Sequence, residues 1–65
     1  MSNRIKPIRE GKRMTQTELA AKAMISQPYL HDLENNRRGA KPETYERIAA
    51  ALEVPVSDLM EQEAS

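Results

Sequence analysis

Residues 16–35 read Gln-Thr-Glu-Leu-Ala-Ala-Lys-Ala-Met-Ile-Ser-Gln-Pro-Tyr-Leu-His-Asp-Leu-Glu-Asn. Apolar residues recur here three and four positions apart, a spacing that predicts two short amphipathic helices rather than strands. Thr15 and Glu18 form a capping box of the type Thr-x-x-Glu, which predicts the start of the first helix. Ser26 is the predicted cap of the second. Ala20 lies where the helices would cross, because axes about 8–10 Å apart leave no room for a larger side chain.

The same periodicity continues on both sides of this segment and predicts a compact, all-α domain of five helices. Asn3 is the predicted cap of a first helix, and a fourth runs from about Glu43. Its predicted buried stripe is Tyr45, Ile48, Ala49 and Leu52. Ser57 is the predicted cap of a short fifth helix. We expect one domain over residues 1–61 and a short tail over 62–65.

Charge divides the chain into two parts, although ten basic residues balance ten acidic ones overall. Residues 1–41 contain nine basic and four acidic side chains, a balance of +5. Residues 42–65 contain one basic and six acidic side chains, a balance of −5. This asymmetry suggests a basic part that meets a polyanion and an acidic part with another role.

Length and composition exclude several classes of protein. A chain of 65 residues has room for one small domain and is too short for most active sites. It contains no cysteine, which excludes disulfides and thiolate metal sites. It lacks both the apolar run of about 20 residues that spans a membrane and a signal-peptide pattern, so we expect a cytoplasmic protein. No nucleophile, phosphate loop or ligand cluster accompanies His31 and Asp32, so we expect no enzyme activity, metal or other cofactor.

The two central helices and their turn form the helix-turn-helix pattern, helices two and three of the domain. Around them, several short segments together match a known family: Met14-Thr15-Gln16, Glu18-Leu19-Ala20, Ile25-Ser26, Tyr29-Leu30, Leu33-Glu34-Asn35, Ile48-Ala49, Leu52, Val54, Val56 and Leu59. On these residues the chain resembles the phage-repressor and Cro-like family, also called the xenobiotic-response-element family. The resemblance implies a lambda-repressor-like domain that places a recognition helix, residues 27–35, in the major groove. It also implies homodimers that bind a near-palindromic operator in double-stranded DNA.

The resemblance assigns roles to individual residues. Those expected to contact base edges are Gln27, Pro28, His31 and Asp32. Those expected to contact the sugar-phosphate backbone are Thr15, Gln16, Tyr29, Asn35, Asn36, Arg37, Arg38 and Lys41. Arg9 and Glu34 would form a structural ion pair. A glutamine can pair with N6 and N7 of adenine, so adenine is the expected base opposite Gln27. The alternatives are that Gln27 is simply an exposed first-turn residue and that the basic loop is a solvated charge run.

Several residues depart from the family pattern. Met24 and Arg13 stand where glycine is usual, and a positive φ costs other residues about 1–2 kcal/mol, so the turns are expected to be strained or differently shaped. Pro28 can offer only van der Waals contact, for example to a thymine methyl group. Asp32 either accepts a hydrogen bond from the N4 amine of cytosine or weakens binding. His31 either contacts the flank of the groove or is solvent-exposed.

The leading prediction is a sequence-specific transcriptional regulator that represses by blocking RNA polymerase or activates by touching it. A dimer surface is predicted within residues 51–60, where apolar side chains exceed what a small monomer needs to bury: Val54, Val56, Leu59 and Met60. The alternative is an antitoxin or anti-repressor subunit that binds protein through the same face of helix three. Zero net charge, Pro28 and Asp32 favour that alternative.

Overall fold

The computed structural model describes residues 3–60, and within them the fold is all-helical. Four α-helices are present, α1 (Ile5–Gly11), α2 (Gln16–Ala23), α3 (Gln27–Glu34) and α4 (Pro42–Leu52). A 3-10 helix follows over Val56–Leu59. In the described part the only extended pairing is an isolated bridge between Asn3 and Met60. The predicted helical class is confirmed, whereas the predicted tail over 62–65 lies outside the described residues.

The predicted count of five helices is wrong, because only four are α-helices and the last described element is a single 3-10 turn. Pro55 occupies its N-cap position, and no side chain caps it, so Ser57 does not have the predicted role. The Leu59 carbonyl oxygen accepts a hydrogen bond from the Arg4 N–H at 2.7 Å, and Met60 pairs with Asn3. These two contacts draw the chain out of helical geometry directly after Leu59, which leaves no room for a longer helix.

The helix starts within the central segment follow the predicted capping chemistry. Thr15 Oγ1 accepts a hydrogen bond from the Glu18 N–H at 3.0 Å, and Glu18 Oε1 accepts one from the Thr15 N–H at 2.9 Å. The hydrogen bonds from Thr15 lower the pKa of the Glu18 carboxyl below its ordinary value of 4.5. Ser26 Oγ accepts a hydrogen bond from the Tyr29 N–H at 3.2 Å. Asn3 acts one position before the N-cap Arg4, and its Oδ1 accepts the Ile5 N–H at 3.1 Å.

All four α-helices and the 3-10 helix contribute to one small core. The buried apolar residues are Ile5, Leu19, Ala20, Ala23, Leu30, Leu33, Ile48, Ala49, Leu52 and Leu59. Ala20 is 3% exposed, which allows α2 to pack against its neighbours α3 and α4. The stripe predicted on α4 is confirmed at three of its four positions, whereas Tyr45 is only half-buried and Thr44 is buried beside the stripe.

Among residues 3–60, four residues other than glycine have left-handed backbone, each just after a helix. They are Arg13 (φ 58°), Met24 (φ 62°), Asn36 (φ 60°) and Glu53 (φ 59°). Arg13 and Met24 therefore adopt the positive φ for which glycine is usual at these positions. Asparagine tolerates this conformation, but for the other three it costs about 1–2 kcal/mol each. Met24 ends α2 in this geometry while its side chain is 79% exposed, so packing does not compensate for the strain there.

Replacing Met24 with glycine is expected to raise the free energy of unfolding by about 1 kcal/mol, since glycine adopts a positive φ without steric cost. The measurement is urea denaturation followed by circular dichroism. The matched control is Ala21→Gly, an exposed position inside α2, which should lower stability by about 0.5–1 kcal/mol. Equal destabilisation by both glycines would show that the Met24 backbone is not strained.

Candidate nucleic-acid interface

The turn between α2 and α3 brings the starts of the two helices together. It contains three residues, Met24 to Ser26, and the Ile25 N–H donates to the Ala20 carbonyl oxygen at 2.9 Å. Gln16 is the first residue of α2, and Gln27 is the first residue of α3. Unpaired N–H groups and the helix dipole make such ends favourable positions for anions.

A buried ion pair joins α1 to the end of α3. Arg9 Nε lies 2.7 Å from Glu34 Oε2, and Arg9 Nη2 donates to Glu34 Oε1 at 3.1 Å. Arg9 Nη1 also donates to the Met14 carbonyl oxygen at 2.8 Å. The Glu34 side chain is fully buried, and that of Arg9 is 10% exposed. This two-point contact is the strong form of the interaction, because both guanidinium and carboxylate are planar and paired edge to edge.

The ion pair continues as a chain of hydrogen bonds to the protein surface. Gln16 Nε2 donates to Glu34 Oε1 at 2.9 Å, and Gln27 Nε2 donates to Gln16 Oε1 at 2.7 Å. Since an ionised carboxylate only accepts hydrogen bonds, Gln16 must turn its NH2 group toward Glu34. Its oxygen then faces Gln27, which must present nitrogen in turn. The charge on Arg9 thus sets the orientation of two amides in sequence.

Among the described residues, this orientation leaves Gln27 with one unpaired N–H and an unpaired carbonyl oxygen at the exposed start of α3. An adjacent donor and acceptor are what adenine requires in the major groove, where its N7 accepts and its N6 amine donates. Gln16 is half-buried, and its amide oxygen is occupied by Gln27. Its predicted contact with a phosphate would therefore use its remaining N–H.

The other residues predicted to contact bases differ in exposure. Pro28 and His31 are exposed on α3, whereas Asp32 is half-buried. His31 Nδ1 lies 3.8 Å from Asp32 Oδ1. Both roles that the sequence allows for Asp32, acceptor for cytosine or a source of repulsion, stay predictions.

The loop after α3 presents the basic side chains. Arg37, Arg38 and Lys41 are exposed, as are Asn35 and Asn36. The guanidinium carbon of Arg38 lies 5.0 Å from the centre of the Tyr29 ring, within the range of a cation–π interaction. The exposed acids of the second half lie mainly on α4 and after it: Glu43, Glu46, Glu53 and Asp58. Asparagine and arginine therefore follow the recognition helix directly, and acids follow the loop.

Within residues 3–60, no group of three or more histidine, aspartate or glutamate side chains is placed to hold a metal ion. None of the described helices is both long and apolar enough to cross a membrane.

The sequence matches a family model described as Helix-turn-helix over residues 5–59. It is also 40% identical, over 63 residues, to the immunity repressor protein of Bacillus phage phi105. The chain belongs to the Cro/C1-type helix-turn-helix family. The match with the phage repressor covers 97% of this chain but 44% of the repressor, so the chain spans less than half the length of this relative.

Solved structures agree with the family assignment. The N-terminal DNA binding domain of SinR from Bacillus subtilis superposes with a TM-score of 0.82 and 32% identity, covering 95% of this chain and 91% of that domain. The restriction-modification controller protein C.AhdI from Aeromonas hydrophila has a TM-score of 0.86, covering 88% of this chain and 86% of that one. At 23% identity, C.AhdI supports the helix-turn-helix fold alone.

The structure removes one residue from the predicted dimer surface. Leu59 is fully buried in the core of its own chain and cannot contribute side-chain area to a partner. Val54 and Val56 are half-buried against the core, and Met60 is 37% exposed. Leu59 therefore closes the core, because the 3-10 turn points its side chain inward.

Sequence reasoning missed three contacts at this site. It treated Gln16 and Gln27 separately, although both begin helices that a short turn brings together. It did not pair Tyr29 with Arg38. It also missed the contact between Asn3 and α3. Asn3 Nδ2 donates to the Leu33 carbonyl oxygen at 2.7 Å and so holds the end of the recognition helix. Only the coincidence of two glutamines at helix starts could have indicated the first of these contacts.

Glu34→Gln is expected to destabilise the domain by about 3–5 kcal/mol, because it leaves the Arg9 charge buried without a counter-ion. Since a domain of this size has about 3–10 kcal/mol of stability in all, much of the variant should be unfolded near 37 °C. Thermal and urea denaturation would measure this. Glu46→Gln, at an exposed position of α4, is the matched control and should change stability by less than about 0.5 kcal/mol. Identical midpoints for the two variants would refute the importance of the ion pair.

Proposed function

We propose that this chain is the DNA-binding part of a transcriptional regulator, with α3 in the major groove of double-stranded DNA. The observation that carries the proposal is the hydrogen-bond chain from Arg9 to Gln27, which presents an oriented amide at the exposed start of α3. An amide aligned before binding loses little conformational entropy when it meets a base edge. A glutamine that served only to stabilise the fold would not need an exposed amide held in one orientation.

The distribution of charge supports a nucleic-acid partner. The balance of +5 over residues 1–41 includes the exposed loop cations Arg37, Arg38 and Lys41 beside α3. Phosphate contacts of this kind position a protein on the duplex, while base contacts determine the sequence that it prefers. Asn35 and Asn36, which are exposed in the same loop, would add neutral hydrogen bonds to the DNA backbone. Because the whole chain is neutral, the attraction for DNA comes from the basic residues 1–41 and not from the acidic residues 42–65.

We also propose that the protein binds as a homodimer, with half-sites about one helical turn, ~34 Å, apart. Val54, Val56 and Met60 retain exposed apolar area at the end of the described chain and would contribute to the contact between subunits. Repression would follow from a binding site that overlaps that of RNA polymerase. Activation would instead require a contact with the polymerase.

The test is selection of bound duplexes from a random pool, followed by a salt titration of the selected site against unrelated DNA. Four to six phosphate contacts predict that log affinity falls with log salt at a slope of about −4 to −5. A symmetric selected site would support the homodimer. Absence of DNA retention at every salt concentration would refute the proposal and favour the protein-interaction alternative, for which Pro28 and Asp32 are the supporting residues.

Gln27→Ala is expected to reduce affinity for the selected site by about 1–3 kcal/mol and to relax the preference for adenine at one position of each half-site. Affinity for unrelated DNA should change little, because phosphate contacts remain. Fluorescence anisotropy with site variants at that position measures both effects.

Gln16→Ala separates orientation from direct contact. It keeps Gln27 but removes the acceptor that directs its amide, so the adenine preference should weaken while Gln27 is still present. Glu46→Ala, on α4, is the control and should match the unmodified protein. Equal losses on every DNA sequence with Gln27→Ala would show that Gln27 does not read a base.

A further inference from the structure

The contact between Tyr29 and Arg38 joins a well-held residue to a loosely held one. Tyr29 is half-buried against the core, and its N–H is bonded to the cap Ser26. Arg38 lies in the loop before α4. Among residues 3–60, the last main-chain hydrogen bond before α4 is from the Arg37 N–H to the Asp32 carbonyl oxygen, at 2.9 Å. Among the described residues Arg38 itself makes no main-chain hydrogen bond, so the contact of its side chain with the Tyr29 ring is what restrains it.

Arg38 also keeps its charge available. Among the described residues no carboxylate forms a salt bridge with it. A guanidinium held over the face of an aromatic ring interacts through its charge and leaves its N–H donors for other partners. Those donors match the oxygens of a phosphate in a two-point contact. The contact with the ring thus restrains the cation without using its hydrogen-bond donors.

From this arrangement we propose that Tyr29 is a positioning residue, whose ring holds Arg38 ready to bind a phosphate of the DNA backbone. The inference rests on the proposed function and adds a division of labour within it. Arg38 makes the contact with the phosphate, and Tyr29 acts through Arg38 rather than through its own hydroxyl group. Lysine at position 38 would keep the charge but lose the planar contact.

The test compares Arg38→Lys with Arg37→Lys, since both positions are exposed loop arginines and, within residues 3–60, only Arg38 lies over an aromatic ring. Affinity for a duplex that the unmodified protein retains is measured by anisotropy over a range of salt concentrations. Arg38→Lys should weaken binding about two- to fivefold more than Arg37→Lys. The salt slope should stay the same in both variants, because each keeps its positive charge.

A double-mutant cycle then tests the role of the ring. Tyr29→Phe keeps the ring, so in that background Arg38→Lys should still cost more than Arg37→Lys, whereas Tyr29→Leu should weaken binding as Arg38→Lys does. Adding Arg38→Lys to Tyr29→Leu should cost no more than Arg37→Lys costs. Circular dichroism checks folding, and if Tyr29→Leu does not fold, the comparison of the two lysine variants and Tyr29→Phe still tests the proposal.

Equal effects of Arg38→Lys and Arg37→Lys, independent effects in the cycle, or equal effects of the two lysine variants in the Tyr29→Phe background would each overturn this inference. In all three cases the unmodified protein would still bind DNA, so the proposed function would stand. If the unmodified protein retained no duplex, the proposed function would fail and this inference with it.

Discussion

The Arg9–Glu34 ion pair is the interaction on which the candidate interface depends. Two charges taken out of water are costly unless every donor and acceptor is matched, and here the guanidinium meets the carboxylate edge to edge and also bonds the Met14 carbonyl oxygen. Oε1 of that carboxylate also accepts a hydrogen bond from the Gln16 amide. One buried pair therefore joins α1, α2 and α3 and sets the direction of the exposed Gln27 amide.

Such a network matters because the core is thin. Within residues 3–60 it contains ten buried apolar residues. None of them is Phe or Trp, and three of the ten are alanines. Left-handed backbone at Arg13, Met24 and Glu53 adds strain that glycine would relieve. In a domain of this size, polar contacts between helices hold their relative orientation where apolar packing is limited. That orientation is what a recognition helix requires.

The sequence predicted several residues of the site but not the contacts between them. Gln27 at the start of α3 and the basic loop follow from position and composition, and the structure leaves both exposed. The partners of Gln27 did not follow, because Gln27 and Gln16 are 11 residues apart and Gln16 and Glu34 are 18 apart. The Tyr29 ring beneath Arg38 was missed for the same reason. The contacts of Gln16 depend on how α2 packs against α3, and the contact of Arg38 depends on the path of the loop after α3. No local sequence pattern contains either.

Local chemistry in the sequence was sufficient for the helix starts at Thr15 and Ser26, the helical class and most of the buried positions, because capping and periodicity act over three or four residues. The folded chain was needed to show that Leu59 closes the core and that the last element is one 3-10 turn. Those outcomes depend on Asn3 and Arg4, which meet Leu59 and Met60 from the other end of the sequence. Contacts between distant residues form only when the helices have packed, so packing geometry, rather than residue type, selects them.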